Sequence, residues 1–184
     1  MNETAVAATE QFVAEQFRQH PHYSFNDWAV MSDHSRTVKD LALTIAHEMP
    51  ADSTVVAIGA LLHDIGKTYP ADAETLHTKH EDFNLPVSEA FLGTLDIEEA
   101  QRAKIKDLIQ HKSESLEMQI IEDADALALY ADKRLYMLYI QWARENALDA
   151  AIQRKLDKFE KLHFEVSKEM GRPWYEQMKS DWGV

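Results

Sequence analysis

The 184-residue sequence contains no cysteine, so it forms no disulfide and offers no thiolate to a metal ion. Any metal must therefore be held by histidine, aspartate or glutamate. Only five glycines and five prolines are present, while 45% of the residues are hydrophobic and 28% are charged. This composition is typical of a globular helical protein rather than a disordered or fibrous one. The length is that of one domain, large enough to bury a substantial core.

An excess of basic residues is also absent, because the formal net charge is −13. That balance argues against binding of duplex nucleic acid, which normally needs a basic stripe, but it is compatible with a small phosphorylated ligand. No stretch approaches the roughly 18 apolar residues of a membrane span, and the N-terminus lacks the basic and apolar regions of a signal peptide. These absences predict a soluble cytoplasmic protein with no membrane partner.

A hydrophobic run at residues 53–62 predicts a buried helix, and it ends directly at the pair His63 and Asp64. At the end of a helix, two neighbouring side chains can converge on one ion. Imidazole nitrogen and carboxylate oxygen together favour Zn, Mn, Fe, Ni or Co, and Mg is compatible if carboxylates and water dominate. We expect Gly66 to let the chain turn away after this pair.

Two other helical segments carry candidate metal ligands. His34 lies in a predicted helix that runs to about residue 49, on the same face as the apolar Val38. Asp125 lies among apolar residues of a strongly helical segment that starts at Leu116. A carboxylate there costs several kcal/mol to bury unless it is paired or bound to metal. We expect Asp123 to point elsewhere, as a solvated or supporting group.

The segment at residues 68–85 is polar and rich in histidine, including His77 and His80. It predicts a loop that covers the end of the helix bearing His63, followed by a short helix at residues 87–95. The two histidines are three residues apart and can share a face.

Asp96 and Glu99 have the spacing of a capping box, which predicts a helix that begins there and runs to His111. Residues 133–182 predict one or two long helices, interrupted at residues 171–173 by Gly-Arg-Pro. Their apolar face is either core or the surface of a homodimer.

The ordered pattern of His, His-Asp and Asp resembles the HD-domain superfamily of metal-dependent phosphohydrolases. The resemblance spans roughly residues 28–130, and its fold is an all-α, single-domain helical bundle. It implies that one metal ion is held by His34, His63, Asp64 and Asp125. In the two-metal variant, which we favour, Asp64 bridges to a second ion whose further ligands are His80, or His77 in its place, and His111.

The chemistry implied by this resemblance is cleavage of a phosphoester or phosphoanhydride bond in a nucleotide or other small phosphorylated metabolite. Two ions would activate water and neutralise charge on the phosphoryl oxygens. Asp64 and Lys67 are the predicted catalytic residues, and Lys67 and Arg36 the predicted contacts to substrate phosphate. Two alternatives stay open: a mixed-valence di-iron oxygenase acting on a C–H bond, and a non-catalytic, metal-stabilised binding module.

We predict three segments within one domain. Residues 1–22 form an N-terminal packing helix, residues 23–132 the metal-binding core, and residues 133–184 a C-terminal helical extension that packs on that core.

Overall fold

A computed structural model describes residues 1–20, 27–112, 114–145 and 149–183, without the side chains of Ala73, His77 and Asp149. These residues form helices and no strand, so the all-α prediction is confirmed. The α-helices are α1 (Glu3–Gln19), α2 (Trp28–Ala46), α3 (Ser53–Leu62), α4 (Ala73–Thr94), α5 (Glu99–Ile109), α6 (Leu116–Ala131), α7 (Lys133–Glu145), α8 (Asp149–Asp157) and α9 (Glu165–Trp182). Short 3-10 helices span Ile65–Thr68 and Phe159–Lys161.

Helix α3 is the centre of the bundle. Every residue from Thr54 to Leu62 is buried, and α1, α2, α5 and α6 pack around it. The Asp52 carboxylate accepts hydrogen bonds from the backbone N–H groups of Thr54 and Val55, at 2.9 and 3.2 Å, and so caps the helix. Because α3 is enclosed on all sides, the residues at its C-terminal end are held inside the protein.

The predicted loop at residues 68–85 is wrong, because α4 begins at Ala73 and continues to Thr94. The Asp72 carboxylate caps it by accepting a hydrogen bond from the Thr75 N–H at 2.9 Å. A run of polar residues thus forms the outer face of a helix. The backbone leaves helical geometry only at Lys79, with φ −140° and ψ 16°, which puts a kink in α4 directly before His80.

The predicted start of α5 at Asp96 is also wrong. Its cap is Glu98, whose backbone N–H donates to the Gln101 side-chain oxygen at 3.2 Å. The Asp96 carbonyl instead accepts a hydrogen bond from the Asn2 side chain at 2.8 Å. Asp96 is therefore engaged with the start of α1, and the helix begins two residues later than the spacing suggested.

Within residues 133–145 and 149–183, the C-terminal region forms three α-helices rather than one or two long ones, and residues 171–173 do not interrupt α9. A Cβ atom at Gly171 would lie 2.1 Å from Leu127 Cδ2, so glycine lets α9 approach α6 closely.

The predicted segments correspond to α1, to α2–α6 and to α7–α9. Helix α1 packs on α2 and α3, and α9 packs on α6. The first predicted boundary, at residue 22, lies outside the described residues. Within the described part of the chain, no helix is both long and apolar enough to cross a bilayer.

Candidate metal centre

Three helices bring their predicted ligands to one point. His34 from α2, His63 from the end of α3 and Asp125 from α6 each offer one ligand atom, and these atoms lie within 4.8 Å of one another. His34 Nε2 is 3.2 Å from Asp125 Oδ1, and His63 Nε2 is 3.6 Å from the same oxygen. Asp64 Oδ2 lies 3.8 and 3.5 Å from the two histidine nitrogens. We call His34, His63, Asp64 and Asp125 the ligand wall.

The tautomer of His63 is suited to metal binding. Its Nδ1 lies 2.7 Å from the Ala60 carbonyl oxygen, which accepts a hydrogen bond only if Nδ1 carries the proton. The lone pair of a neutral ring is then on Nε2, which is buried and has no hydrogen-bond partner among the described residues. An unpartnered nitrogen that faces two carboxylates fits a divalent cation.

Asp64 connects two groups of side chains. Its Oδ2 accepts a hydrogen bond from Lys67 Nζ at 2.5 Å, and its Oδ1 lies 3.0 Å from His80 Nε2. Burial alone would raise the pKa of Asp64, but Lys67, His63 and His80 hold it well below its ordinary value. The carboxylate is therefore ionised in its buried position, with each oxygen directed at different partners.

Asp125 is ionised for the same reason. Burial opposes its charge, but Lys158, whose Nζ donates to Oδ2 at 3.1 Å, and the two ligand histidines hold the pKa of Asp125 well below its ordinary value. The same carboxylates act in the opposite direction on His63. Burial lowers the pKa of His63, but the charges of Asp64 and Asp125 outweigh this and raise it.

The proposed second ligand set is brought only partly together. His80 lies beside Asp64, and its Nδ1 is 3.1 Å from the Leu76 carbonyl oxygen, so Nε2 faces the centre. His111 lines the same cavity, and its Nε2 is 3.7 Å from Glu81 Oε1. His111 has a left-handed backbone with φ 52°, which directs the chain away after α5. The side chain of His77 lies outside the described residues.

The two predicted phosphate contacts differ in position. Lys67 lines the cavity beside Asp64. Arg36 is half-exposed and its Nη1 lies 3.0 Å from the Asp33 carboxylate, so the structure does not bring it to the cavity. Of these two cations, only Lys67 is next to the ligand wall.

Gly66 is required by a close approach of α4, not by the turn that we expected. A Cβ atom at Gly66 would lie 2.0 Å from the His80 carbonyl oxygen. The Gly66 N–H donates to Asn84 Oδ1 at 2.7 Å, while Asn84 Nδ2 donates to the carbonyl oxygens of His63 and Ile109, at 2.6 and 2.9 Å. Asn84 is fully buried and ties α4 to the ends of α3 and α5. Sequence reasoning missed it, because a single asparagine in a polar segment has no recognisable pattern.

The ligand wall opens into a cavity of about 520 Å³ that is also lined by residues of the C-terminal region. Three cavity-lining lysines lie there, and we call Lys155, Lys158 and Lys161 the lysine wall. The sequence predicts core or dimer surface for this region, so the position of these three lysines in a cavity was not expected. Their spacing of three residues was the available signal, because it aligns side chains on one helical face.

Asp123 holds the lysine wall against α6. It is buried, and its two oxygens accept hydrogen bonds from the backbone N–H groups of His163 and Phe164, at 2.8 and 3.1 Å. These donors precede the first turn of α9, where helical N–H groups lack partners. Of the two expected alternatives, a solvated or a supporting group, the structure excludes the first, because Asp123 is buried and binds the backbone directly before α9.

Comparison with known proteins gives a family match. The sequence pattern of the HD domain matches residues 31–162. The chain is 35% identical over 152 residues to the tRNA (cytidine(56)-2'-O)-methyltransferase of Picrophilus torridus, covering 76% of this chain and 42% of that protein. The protein of the same name from Thermoplasma volcanium is 29% identical over 159 residues, covering 82% of this chain and 45% of its own length. The chain thus spans less than half the length of these curated relatives.

Two solved structures share the fold. An HD-superfamily hydrolase from Bacillus thuringiensis superposes with a TM-score of 0.70 at 16% identity, covering 98% of this chain and 94% of that one. YpgQ from Bacillus subtilis, solved in complex with ADP, gives a TM-score of 0.61 at 22% identity, covering 94% and 96%. At these identities the likeness establishes the architecture, including the C-terminal helices.

Proposed function

The chain belongs to the HD-domain family, and from that premise we propose that it is a metal-dependent phosphohydrolase acting on a small phosphorylated metabolite, such as a nucleotide. The observation that carries the proposal is the ligand wall itself. Two imidazole nitrogens and two ionised carboxylates converge from three helices, and one of those nitrogens has no hydrogen-bond partner among the described residues.

His34, His63, Asp64 and Asp125 are the residues that would hold one divalent ion, and Asp64, His80 and His111 are the candidates for a second. Bound ions of this kind supply a Lewis acid for a phosphoryl group and activate water. The donor set of nitrogen and oxygen suits Fe, Mn, Co, Ni or Zn, with Mg favoured only where carboxylates dominate.

Lys67 is the side chain proposed to meet the phosphoryl group. Its Nζ is 2.5 Å from Asp64 Oδ2, so its ammonium is held at the ligand wall inside the cavity. Lysine binds phosphate as a point charge and does not need the planar, two-hydrogen-bond geometry of an arginine–phosphate contact. Arg36 has no part in this proposal, because it is paired with Asp33 on the surface.

The names of the curated relatives do not redirect the proposal. Those names describe methyl transfer to tRNA by the whole relatives, and this chain spans only 42% and 45% of their lengths. The formal net charge of −13 argues against extended contact with an RNA backbone. A small anionic substrate enclosed in a lysine-bearing cavity is compatible with the same charge.

The test is metal analysis of the chain purified without added metal, followed by a screen for phosphate release. The screen covers nucleoside mono-, di- and triphosphates, cyclic nucleotides and sugar phosphates with several divalent ions. Phosphate release by the wild type is expected to be lost in Asp125→Asn. It is expected to be retained in the control Asp107→Asn, which changes an exposed carboxylate outside the cavity. Two bound irons with O₂ consumption and no phosphate release would overturn the proposal.

A further inference from the structure

The lysine wall lines one cavity with three like charges in a protein of the opposite charge. Lys155 is on α8, Lys158 directly follows α8, and Lys161 ends the 3-10 helix Phe159–Lys161. All three line the cavity that contains the ligand wall. The whole chain has 32 acidic residues against 19 lysines and arginines, so carboxylate partners for lysine are plentiful elsewhere.

Among the described residues, Lys158 is the lysine of this wall that forms an ion pair. Lys158 Nζ lies 3.1 Å from Asp125 Oδ2. Within the described part of the chain, Lys155 and Lys161 have no carboxylate oxygen within 4.0 Å of their ammonium groups. Lys155 is partly buried, and its Nζ lies 5.6 Å from the centroid of the Tyr139 ring.

The acidic residues that line the cavity already have partners of their own. Asp123 accepts two backbone hydrogen bonds. Glu122 lies 2.9 Å from His163 Nε2, and Glu81 lies 3.7 Å from His111 Nε2. Within the described residues, Lys155 and Lys161 therefore line the cavity without a carboxylate in ion-pair contact.

An anion in the cavity would relieve the cost of this arrangement. Burial, together with the charge of Lys158, lowers the pKa of Lys155 to about 8. A multiply charged phosphoryl group suits two lysines better than a single carboxylate does, because lysine is a compact point charge.

We propose that Lys155 and Lys161 form a subsite for a second phosphoryl group, so that the ligand of this cavity carries a diphosphate rather than a single phosphate. This subsite rests on the proposed function, in which a first phosphoryl group lies at the ligand wall. Lys158 contacts Asp125 and marks the boundary between the two walls, so the first phosphoryl group would lie on the Lys67 side and the second on the Lys155 side.

Isothermal titration calorimetry of the full chain with inorganic pyrophosphate and with inorganic phosphate tests the subsite without any catalysis. The variants are Lys155→Gln and Lys161→Gln, and the control is Lys168→Gln, which removes a lysine paired with Glu165 outside the cavity. We expect each wall variant to weaken pyrophosphate binding by about tenfold, the effect of losing one charged hydrogen bond, and to change phosphate binding less than twofold. The control binds both anions as the wild type does.

Lys155→Arg retains the charge and is expected to keep most of the pyrophosphate affinity, which separates loss of charge from loss of fold. Metal content is measured before and after each titration, because pyrophosphate can also bind free metal. Equal losses for both anions, or unchanged pyrophosphate binding in both wall variants, would overturn the subsite. If no phosphate ester is hydrolysed but the selective loss is seen, the subsite stands and the phosphohydrolase proposal fails.

Discussion

The ligand wall and the lysine wall share one cavity but differ in how they are assembled. The ligand wall is built from three helices, and its two carboxylates are neutralised by neighbouring lysines and histidines. The lysine wall comes from one short segment, residues 155–161, and two of its charges have no carboxylate partner within the described residues. One wall is therefore assembled from helices that are far apart in the sequence. The other comes from one short segment that Asp123 and the hydrogen bond from Tyr130 Oη to the Lys155 carbonyl oxygen hold against α6.

The largest expected effect is on the ligand wall. Asp64→Ala removes both carboxylate oxygens that face His80 and the histidines of the ligand wall, and we expect phosphate release to fall by more than about 100-fold. Because Asp64 faces both proposed ion positions and His63 faces one, Asp64→Ala should lose more metal than His63→Ala. Inductively coupled plasma mass spectrometry measures that difference.

Lys155→Gln is the matched control for this experiment, because it changes the lysine wall only. It should retain the metal content of the wild type while losing pyrophosphate affinity. Equal metal loss in Asp64→Ala and His63→Ala would contradict the bridging role of Asp64. Metal loss in Lys155→Gln would show that the two walls are not separate.

The next effect is on the backbone that supports the ligand wall. Gly66→Ala places a Cβ atom where the His80 carbonyl oxygen would be only 2.0 Å away, and backbone on both sides must shift. We expect the free energy of unfolding to fall by about 3 kcal/mol or more in urea titrations.

Gly93→Ala is the control for that substitution, because a Cβ atom there meets nothing within 4 Å and lies in the helix α4. It should raise the free energy of unfolding by up to about 1 kcal/mol, through helix propensity. A similar small effect for Gly66→Ala would contradict the close approach of α4 to the His63–Asp64 end of α3.

The sequence placed the residues of the ligand wall in one expected site through their ordered pattern, which resembles the HD-domain superfamily, because His34 or His63 alone is equally well explained as a core or helix-end residue. His34, His63 and Asp125 are expensive to bury, so their positions carry information about a site. Lys155 and Asp123 do not stand out, because lysine and aspartate are common on helix surfaces and the sequence does not show which surface faces a cavity. Asn84 acts through three backbone groups of other segments, a role that only the tertiary fold creates.

A smaller effect is expected where the lysine wall docks. Asp123→Asn leaves one side-chain oxygen to accept from the N–H group of His163 or Phe164, but the other N–H group then faces an amide N–H donor. We expect the free energy of unfolding to fall by about 2 kcal/mol in urea titrations and pyrophosphate binding to weaken, with metal content unchanged. The exposed Asp107→Asn should change neither. Loss of metal in Asp123→Asn would mean that this carboxylate belongs to the ligand wall instead.

The smallest expected effect is a pH dependence of pyrophosphate binding at the lysine wall. The pKa of Lys155 is about 8, because burial, Lys158 and Lys67 lower it more than Asp125 and Asp64 raise it. The Lys155 side chain is therefore positively charged below this pH, and the charge is lost as the pH rises through the pKa. Pyrophosphate affinity should consequently fall about fivefold between roughly pH 7 and 9. Pyrophosphate itself gains charge over this range, so the informative quantity is the ratio of wild-type affinity to that of Lys155→Arg, whose guanidinium stays charged. A ratio that stays constant from pH 7 to 9 would mean that Lys155 does not contact the bound anion.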